Sequence, residues 1–176
     1  KEDYILYLSR IEPENNAAMV VEAFLKVDTV KQLVIVGDAP YADKYKEYLK
    51  ALVENETRIR FLGAIYGPDK KALEQNAAVY VHATEVGGTH PALIEAMGAG
   101  NCCLVYETPE NREVAGEAGL YYQDDETLAG LLRRVMSDDQ LVNDYRRRAQ
   151  ERVRKHYDWE TVTDEYEQLF SELARQ

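Results

Sequence analysis

The sequence has 176 residues, 45% hydrophobic and 30% charged, enough for one globular domain with its own core. Its 32 acidic against 21 basic residues leave a formal charge of -11, which excludes a surface built to neutralise nucleic-acid phosphates. No stretch approaches the roughly 20 apolar residues of a spanning helix and no signal peptide is visible, so the expected location is cytoplasmic.

The chain is already in an apolar run by its fourth residue, YILYLS at 4–9, an opening expected of one part of a longer protein. Short apolar runs recur at 32–36 (QLVIV), 59–62 (IRFL), 78–82 (AVYVH), 102–105 (CCLV) and 120–122 (LYY). Their hydrophobicity is continuous rather than alternating, which predicts strands covered on both faces, as in a parallel sheet. Between them the spacing predicts helices over 17–26, with Asn15 and Asn16 as N-caps, and over 41–55. Pro68 and Pro91 suit the first turns of helices at 68–75 and 91–99. Helices at 126–136, 140–155 and 160–174 follow the last strand with no strand between them. The alternation predicts an α/β fold: a Rossmann-like, doubly wound parallel sheet of about six strands, with helices on both faces and right-handed crossovers. Residues 1–176 read as one domain.

Cys102 and Cys103 are neighbours in a predicted strand, so their side chains point to opposite faces and are expected as reduced core thiols. Arg146, Arg147, Arg148, Arg152, Arg154 and Lys155 alternate with Asp144 and Glu151, the pattern of a solvated helix face rather than a binding patch. His82, His90 and His156 lack metal-ligand spacing, and no metal or cofactor is expected.

Ligands of doubly wound sheets bind beyond the carboxyl ends of the strands. There the sequence places Arg10 in SRIEPENN, the turn VGDAP at 36–40, the turn LGAIYG at 62–67 and the segment ATEVGGTHPALIEAMGAG at 83–100. Gly87 and Gly88 carry no Cβ and let backbone approach a ligand. Thr89 or His90 is expected to cap the helix opened by Pro91, leaving the amides of Ala92 and Leu93 unpaired at its positive end. Such an end suits a diphosphate, and Arg10 can add a two-pronged charged contact. Glu95, one turn further on, is placed to accept hydrogen bonds from vicinal sugar hydroxyls. Taken alone, the Gly-Gly pair reads first as a tight turn packing helix on strand, and only second as a phosphate site.

The order SRIEPENN, LVIVGDAP, IRFLGAIY, VYVHATEVGGTHPALIEAMGAG, EVAGEAG and HYDWE resembles the C-terminal, donor-binding domain of retaining GT-B glycosyltransferases of the large family-four group. The variant GGTHPALIEAM is nearest a rhamnosyltransferase-like subgroup. The resemblance implies the C-terminal half of a GT-B fold. It implies a nucleoside diphosphate sugar as substrate, metal-free retaining transfer of a hexose or deoxyhexose to a glycan, lipid or other acceptor, and an N-terminal acceptor domain as partner. Any membrane contact would come through that other domain. Carried over by position, Arg10 is the phosphate-binding arginine, while the family's following lysine is Asn15 here. Gly63 falls in the loop framing the nucleobase; Gly87, Gly88, Thr89, His90 and Leu93 fall where phosphate and sugar are held; Glu95 is the ribose-binding glutamate. The family's first motif glutamate corresponds to Gly87, with Glu85 two residues away as the substitute candidate for catalysis. Without its partner the domain is expected to be inactive. The alternatives are a non-catalytic nucleotide-sugar-binding or scaffold domain and a sugar-nucleotide epimerase or phosphorylase on the same architecture. The cofactor lysine a phosphorylase needs is not supplied by Lys70 or Lys71, which read as lying away from the cleft.

Overall fold

All six apolar runs form strands: β1 (Tyr4–Leu8), β2 (Gln32–Val36), β3 (Ile59–Phe61), β4 (Val79–His82), β5 (Cys103–Tyr106) and β6 (Gly119–Tyr122). In the computed structural model, which describes residues 3–175, they build one parallel sheet in the order β3-β2-β1-β4-β5-β6. The continuous hydrophobicity has the expected cause. Ile5, Tyr7, Leu33, Ile35, Val81 and Leu104 enter one apolar layer, and Leu6, Val34, Val36, Tyr80, Cys103 and Val105 enter the other. Each such side chain contributes about 1.5–3 kcal/mol when fully buried.

The first layer is closed by α1 (Ala17–Leu25), through Val20, Val21 and Phe24, and by α6 (Asp125–Ser137), through Leu128, Leu132 and Val135. Leu49 of α2 (Asp43–Leu52) fills its edge beyond α1. The second layer is closed by α3 (Gly67–Asn76), α4 (Pro91–Gly98), α5 (Pro109–Ala115) and α7 (Asp139–His156). Their contributions are Leu73; Leu93, Ala96 and Met97; Val114 and Ala115; and Ala149. The sheet is therefore doubly wound, as the alternation of runs implies. The two thiols take opposite layers, Cys102 in the first and Cys103 in the second, and are not bonded to each other.

Three features differ from the sequence reading. Helix α5 has too few apolar positions to show periodicity, yet Thr108 accepts from the Asn111 N–H at 3.1 Å and Pro109 opens the first turn, so capping chemistry sets it. Asn16 takes the expected N-cap position of α1, and its carbonyl accepts from the Val20 N–H at 3.2 Å, but its side chain makes no capping bond. Asn16 sits in the left-handed region at φ 54°, and its amide donates to the Ala83 carbonyl at 3.0 Å. Asn15 is the buried residue of a 3-10 turn, Pro13–Asn15. The basic run on α7 is solvated only in part. Arg147 and Arg148 pair with Asp144 and Glu151, whereas Arg146 donates to the Ala78 carbonyl at 2.7 Å and Arg152 to that of Val114 at 3.0 Å. Arg146 thereby fastens α7 to the residue before β4, and Arg152 fastens it to α5.

The last helix, α8 (Trp159–Leu173), is capped by Asp158 but buries none of its residues. Trp159, Tyr166, Phe170 and Leu173 are all exposed on it. Among the described residues, no helix is long and apolar enough to cross a membrane.

Buried tyrosines finish the carboxyl edge of the sheet. Tyr7, Tyr80 and Tyr122 donate their hydroxyls to the carbonyls of Asn15 (2.8 Å), Leu8 (3.2 Å) and His82 (3.0 Å). A buried hydroxyl needs a partner, and these partners lie where the strands give way to loops. Tyr122→Phe should lower stability by about 1 kcal/mol, read as a fall of about 2–4 °C in thermal midpoint.

Candidate functional site

The strand order reverses between β1 and β4, since β1 continues outward to β2 while β4 continues the other way to β5. A crevice opens outside the strands at such a point. Its walls are the loop after β1 (9–16) and the loop after β4 (83–90). These are tied together: Asn16 bonds the Ala83 carbonyl, and the Glu85 N–H donates to the Glu14 carbonyl at 2.9 Å. The second loop is also held from below, because buried Asn111 on α5 donates to the Thr84 carbonyl at 2.9 Å. The walls are thus fixed before any ligand arrives.

Two of the cavities among the described residues meet at this edge. One, of about 280 Å³, lies among Gly37, Asp38, Ala64, Ile65, Tyr66 and Lys70. The other, of about 390 Å³, lies among Asn15, His82, Thr84, Gly87, Gly88, Thr89 and His90. Both are also lined by Leu8, Ser9, Arg10 and Ala92, so they meet beneath Arg10 and the start of α4.

Arg10 is well exposed and pairs with Glu12 at 3.4 Å. Glu12 is itself buried, taking a short hydrogen bond from Tyr41 and a longer one from the Asn15 amide at 3.4 Å. Asn15 also donates to the Arg10 carbonyl at 2.9 Å, so the uncharged residue fixes the backbone that carries the arginine. Gly63 stands at φ 71° beside the first cavity and accepts from the Gly37 N–H at 2.8 Å. At the start of α4 His90 occupies the N-cap position, one of the two expected, but makes no side-chain bond there. The Leu93 N–H, expected free, donates to the His90 carbonyl at 3.0 Å in the tight first turn. The Ala92 N–H meets no acceptor among the described residues, and Ala92 lines both cavities.

His90 instead packs its ring under the glycine pair. A Cβ on Gly87, at φ 154°, would come within 2.6 Å of that ring, so a larger residue there would displace it. His90 stacks edge-on against His82, with ring centroids 5.0 Å apart. Burial holds both imidazoles below their ordinary range, His82 down to about 3, so both are neutral near pH 7. Their Nε2 atoms are buried without partners among the described residues, beside the second cavity.

Two expectations are corrected. Glu85 is exposed and lines neither cavity, because its peptide is drawn to Glu14 on the other wall. Lys70 does not lie away from the cleft: it lines the first cavity, pairs with Glu95 of α4, and sits 2.9 Å from Glu74. Glu95 lines not the first cavity but an adjoining one of about 610 Å³, and Lys70 lines both. Lys71 lines only the adjoining cavity. No periodicity reveals a contact between residues 25 apart on different helices. Among the described residues, no cluster of His, Cys, Asp or Glu is suited to a metal ion.

Comparison with known proteins follows the geometry closely. The family model for glycosyl transferases group 1 matches residues 1–155. The chain is 29% identical to a phosphatidyl-myo-inositol mannosyltransferase of Mycolicibacterium smegmatis, over 97% of its own length and 45% of that protein's. It is 27% identical to an alpha-monoglucosyldiacylglycerol synthase of Streptococcus pneumoniae, over 82% of this chain and 34% of that one. The chain thus spans less than half the length of these curated relatives. Among solved structures, Anabaena HepE in complex with UDP-glucose superposes with a TM-score of 0.88 at 18% identity, covering 97% of this chain and 49% of that one. The C-terminal domain of a glycosyl transferase group 1 family protein from Francisella tularensis superposes at 0.79 with 19% identity, covering 89% of this chain and 87% of that domain. These likenesses establish the six-stranded sheet as that of the GT-B C-terminal domain.

Proposed function

Since the chain belongs to the glycosyl transferases group 1 family, we propose that it is the donor-binding half of a retaining hexosyltransferase that holds a UDP-sugar. The observation that carries this is the junction of the two cavities at Arg10 and the Ala92 N–H. A nucleoside diphosphate sugar has the same plan: an aromatic base and ribose at one end, a sugar at the other, and two phosphates between. The base and ribose fit the cavity of Ala64, Ile65 and Tyr66, and the sugar fits that of Thr89 and His90. Glu95, in the adjoining cavity that shares Lys70 with the first, takes the ribose hydroxyls. As the glycosidic bond breaks, charge gathers on the departing diphosphate, where a preorganised amide, the helix end and a guanidinium stabilise it. HepE complexes with UDP and UDP-glucose support uridine as the base. The curated relatives, named for transfer to phosphatidylinositol and diacylglycerol species, support a lipid acceptor. The GGTHPALIEAM segment supports a deoxyhexose such as rhamnose as one sugar within that class.

The acceptor is held by a second domain that packs against the unburied apolar side of α8. Calorimetry of the 176-residue chain with UDP, GDP and dTDP should show binding that is strongest for UDP, with no sugar transfer by the chain alone. Absence of nucleotide binding would overturn the donor assignment, and transfer by these residues alone would overturn the half-enzyme assignment.

Gly87 in place of the family's first glutamate, with Glu85 outside the cleft, favours one second reading: a domain that binds a nucleotide sugar without transferring it. UDP-sugar binding with no turnover in the full-length protein would decide for it.

A further inference from the structure

Lys70 is held in an arrangement that a surface lysine does not need. It lies in the first turns of α3, with its ammonium between two carboxylates from different helices. Glu74, four residues along the same helix, has only 6% of its side chain exposed and sits 2.9 Å from the ammonium. Glu95, from α4, has 54% of its side chain exposed and meets the same ammonium through Oε2. Glu74 is fixed in turn, because the Asn101 amide donates to its backbone carbonyl at 2.7 Å. A buried carboxylate is costly without a charged partner, so Glu74 keeps Lys70 from swinging into solvent. Its placement limits the rotamers of a long, flexible stem. From that fixed point the ammonium holds Glu95 in the adjoining cavity, and Lys70 itself lines both that cavity and the nucleoside cavity. Oε1 of Glu95 has no partner among the described residues.

We infer that Glu74 and Lys70 form a clamp that positions the Glu95 carboxylate for the ribose hydroxyls, making Lys70 a determinant of ribonucleotide selectivity. The inference rests on the donor-binding reading above and adds to it the residues that orient the ribose contact. A carboxylate held before the ligand arrives loses little freedom on binding. One that swings freely gives up part of the gain in being ordered.

The test is a calorimetric titration of the 176-residue chain with UDP, 2′-deoxy-UDP and 3′-deoxy-UDP, across wild type, Glu95→Gln, Lys70→Met and Lys70→Arg. Wild type should prefer UDP over the deoxy analogue that lacks the contacted hydroxyl by about tenfold or more, the worth of one hydrogen bond to a charged group. Glu95→Gln and Lys70→Met should each remove most of that preference, while Lys70→Arg should keep much of it. A general loss of stability leaves a ratio of two affinities unchanged, so the ratio separates positioning from structural support. Lys70→Met leaves Glu74 buried without its partner. If that variant does not fold, Lys70→Met with Glu74→Gln removes both charges and gives the same reading. Full ribose preference in Lys70→Met would overturn the clamp. So would an equal loss for UDP and both analogues, which would make Lys70 a counter-charge for phosphate instead. Wild type that binds UDP with no preference over either analogue overturns the clamp but spares the donor reading; wild type that binds no UDP overturns both.

Discussion

Gly37→Ala should destabilise the protein by about 3–5 kcal/mol, the sum of a strained backbone and a steric clash that cannot be relieved by rotating a side chain. Gly37 follows β2 at φ 141°, and an added Cβ would lie 1.7 Å from the Ser9 carbonyl oxygen. The obstacle is backbone, and it is itself fixed, since the Ser9 N–H donates to the Val36 carbonyl at 3.1 Å. Gly37 is held from the other side by the bond from its own N–H to Gly63. Relief would require the loop after β1 to lift away, carrying Ser9 and Arg10 out of the wall shared by both cavities. On a domain of ordinary stability, about 5–15 kcal/mol, this is a large fraction of the total. Urea denaturation with an unchanged slope measures it. Gly63→Ala is the control. It also has positive φ, at 71°, but nothing within 4 Å of its added Cβ, so it should cost only about 1–2 kcal/mol. A Gly37→Ala variant as mild as Gly63→Ala would mean that the loop carrying Arg10 is not pinned by this contact.

The sheet was legible in the sequence because its strands are buried on both faces, and continuous apolar runs such as YILYL and QLVIV have few other uses. Their ends agree within about a residue, since the flanking turns carry Gly, Pro and Asn. Helix α5 escaped notice because only Val114 and Ala115 mark its apolar face, although Thr108-Pro109 carried the start signal. Asn16 holds the N-cap position of α1, but the missing side-chain bond has another cause. An asparagine before a helix is read as a cap, but this one spends its amide across the cleft on Ala83, a contact set by tertiary structure. The site divides in the same way. Arg10 and the Gly-Gly turn were visible because each follows a strand at the ligand-binding edge. The partners that tune them were not: Glu12 becomes a buried neighbour of Tyr41 29 residues away, and Lys70 meets Glu95 across two helices. Local pattern places the loops, and long-range packing decides which charges face each other across them.

Arg10→Ala should weaken UDP binding by about 1.5–3 kcal/mol, the range of a hydrogen bond to a charged group, or roughly 10- to 150-fold in Kd. The upper part of the range is expected because the second cation of the family is Asn15 here, and its amide is committed to the Arg10 carbonyl and Glu12. Nothing beside Arg10 on its own loop can take over the phosphate charge. The free protein should barely notice the change. The guanidinium is 71% exposed and its bond to Glu12 is long, at 3.4 Å, so the pair contributes little in water. Glu12 keeps the Tyr41 hydroxyl and the Asn15 amide when Arg10 is removed. Three measurements on wild type and variant separate the causes: the thermal midpoint, the Kd for UDP and the Kd for uridine. An unmoved midpoint, a weakened UDP and an unchanged uridine would place the phosphates under Arg10. Salt supplies an independent check, because raising ionic strength screens an exposed charge pair. UDP affinity should fall with salt in wild type and fall less in Arg10→Ala. If UDP binds equally to both proteins, the diphosphate lies elsewhere on the sheet edge, and the junction of the two cavities loses its meaning as a phosphate site. If uridine weakens as much as UDP, Arg10 acts by shaping the loop at Ser9, and the Ala92 N–H with the end of α4 is left as the anion-binding group.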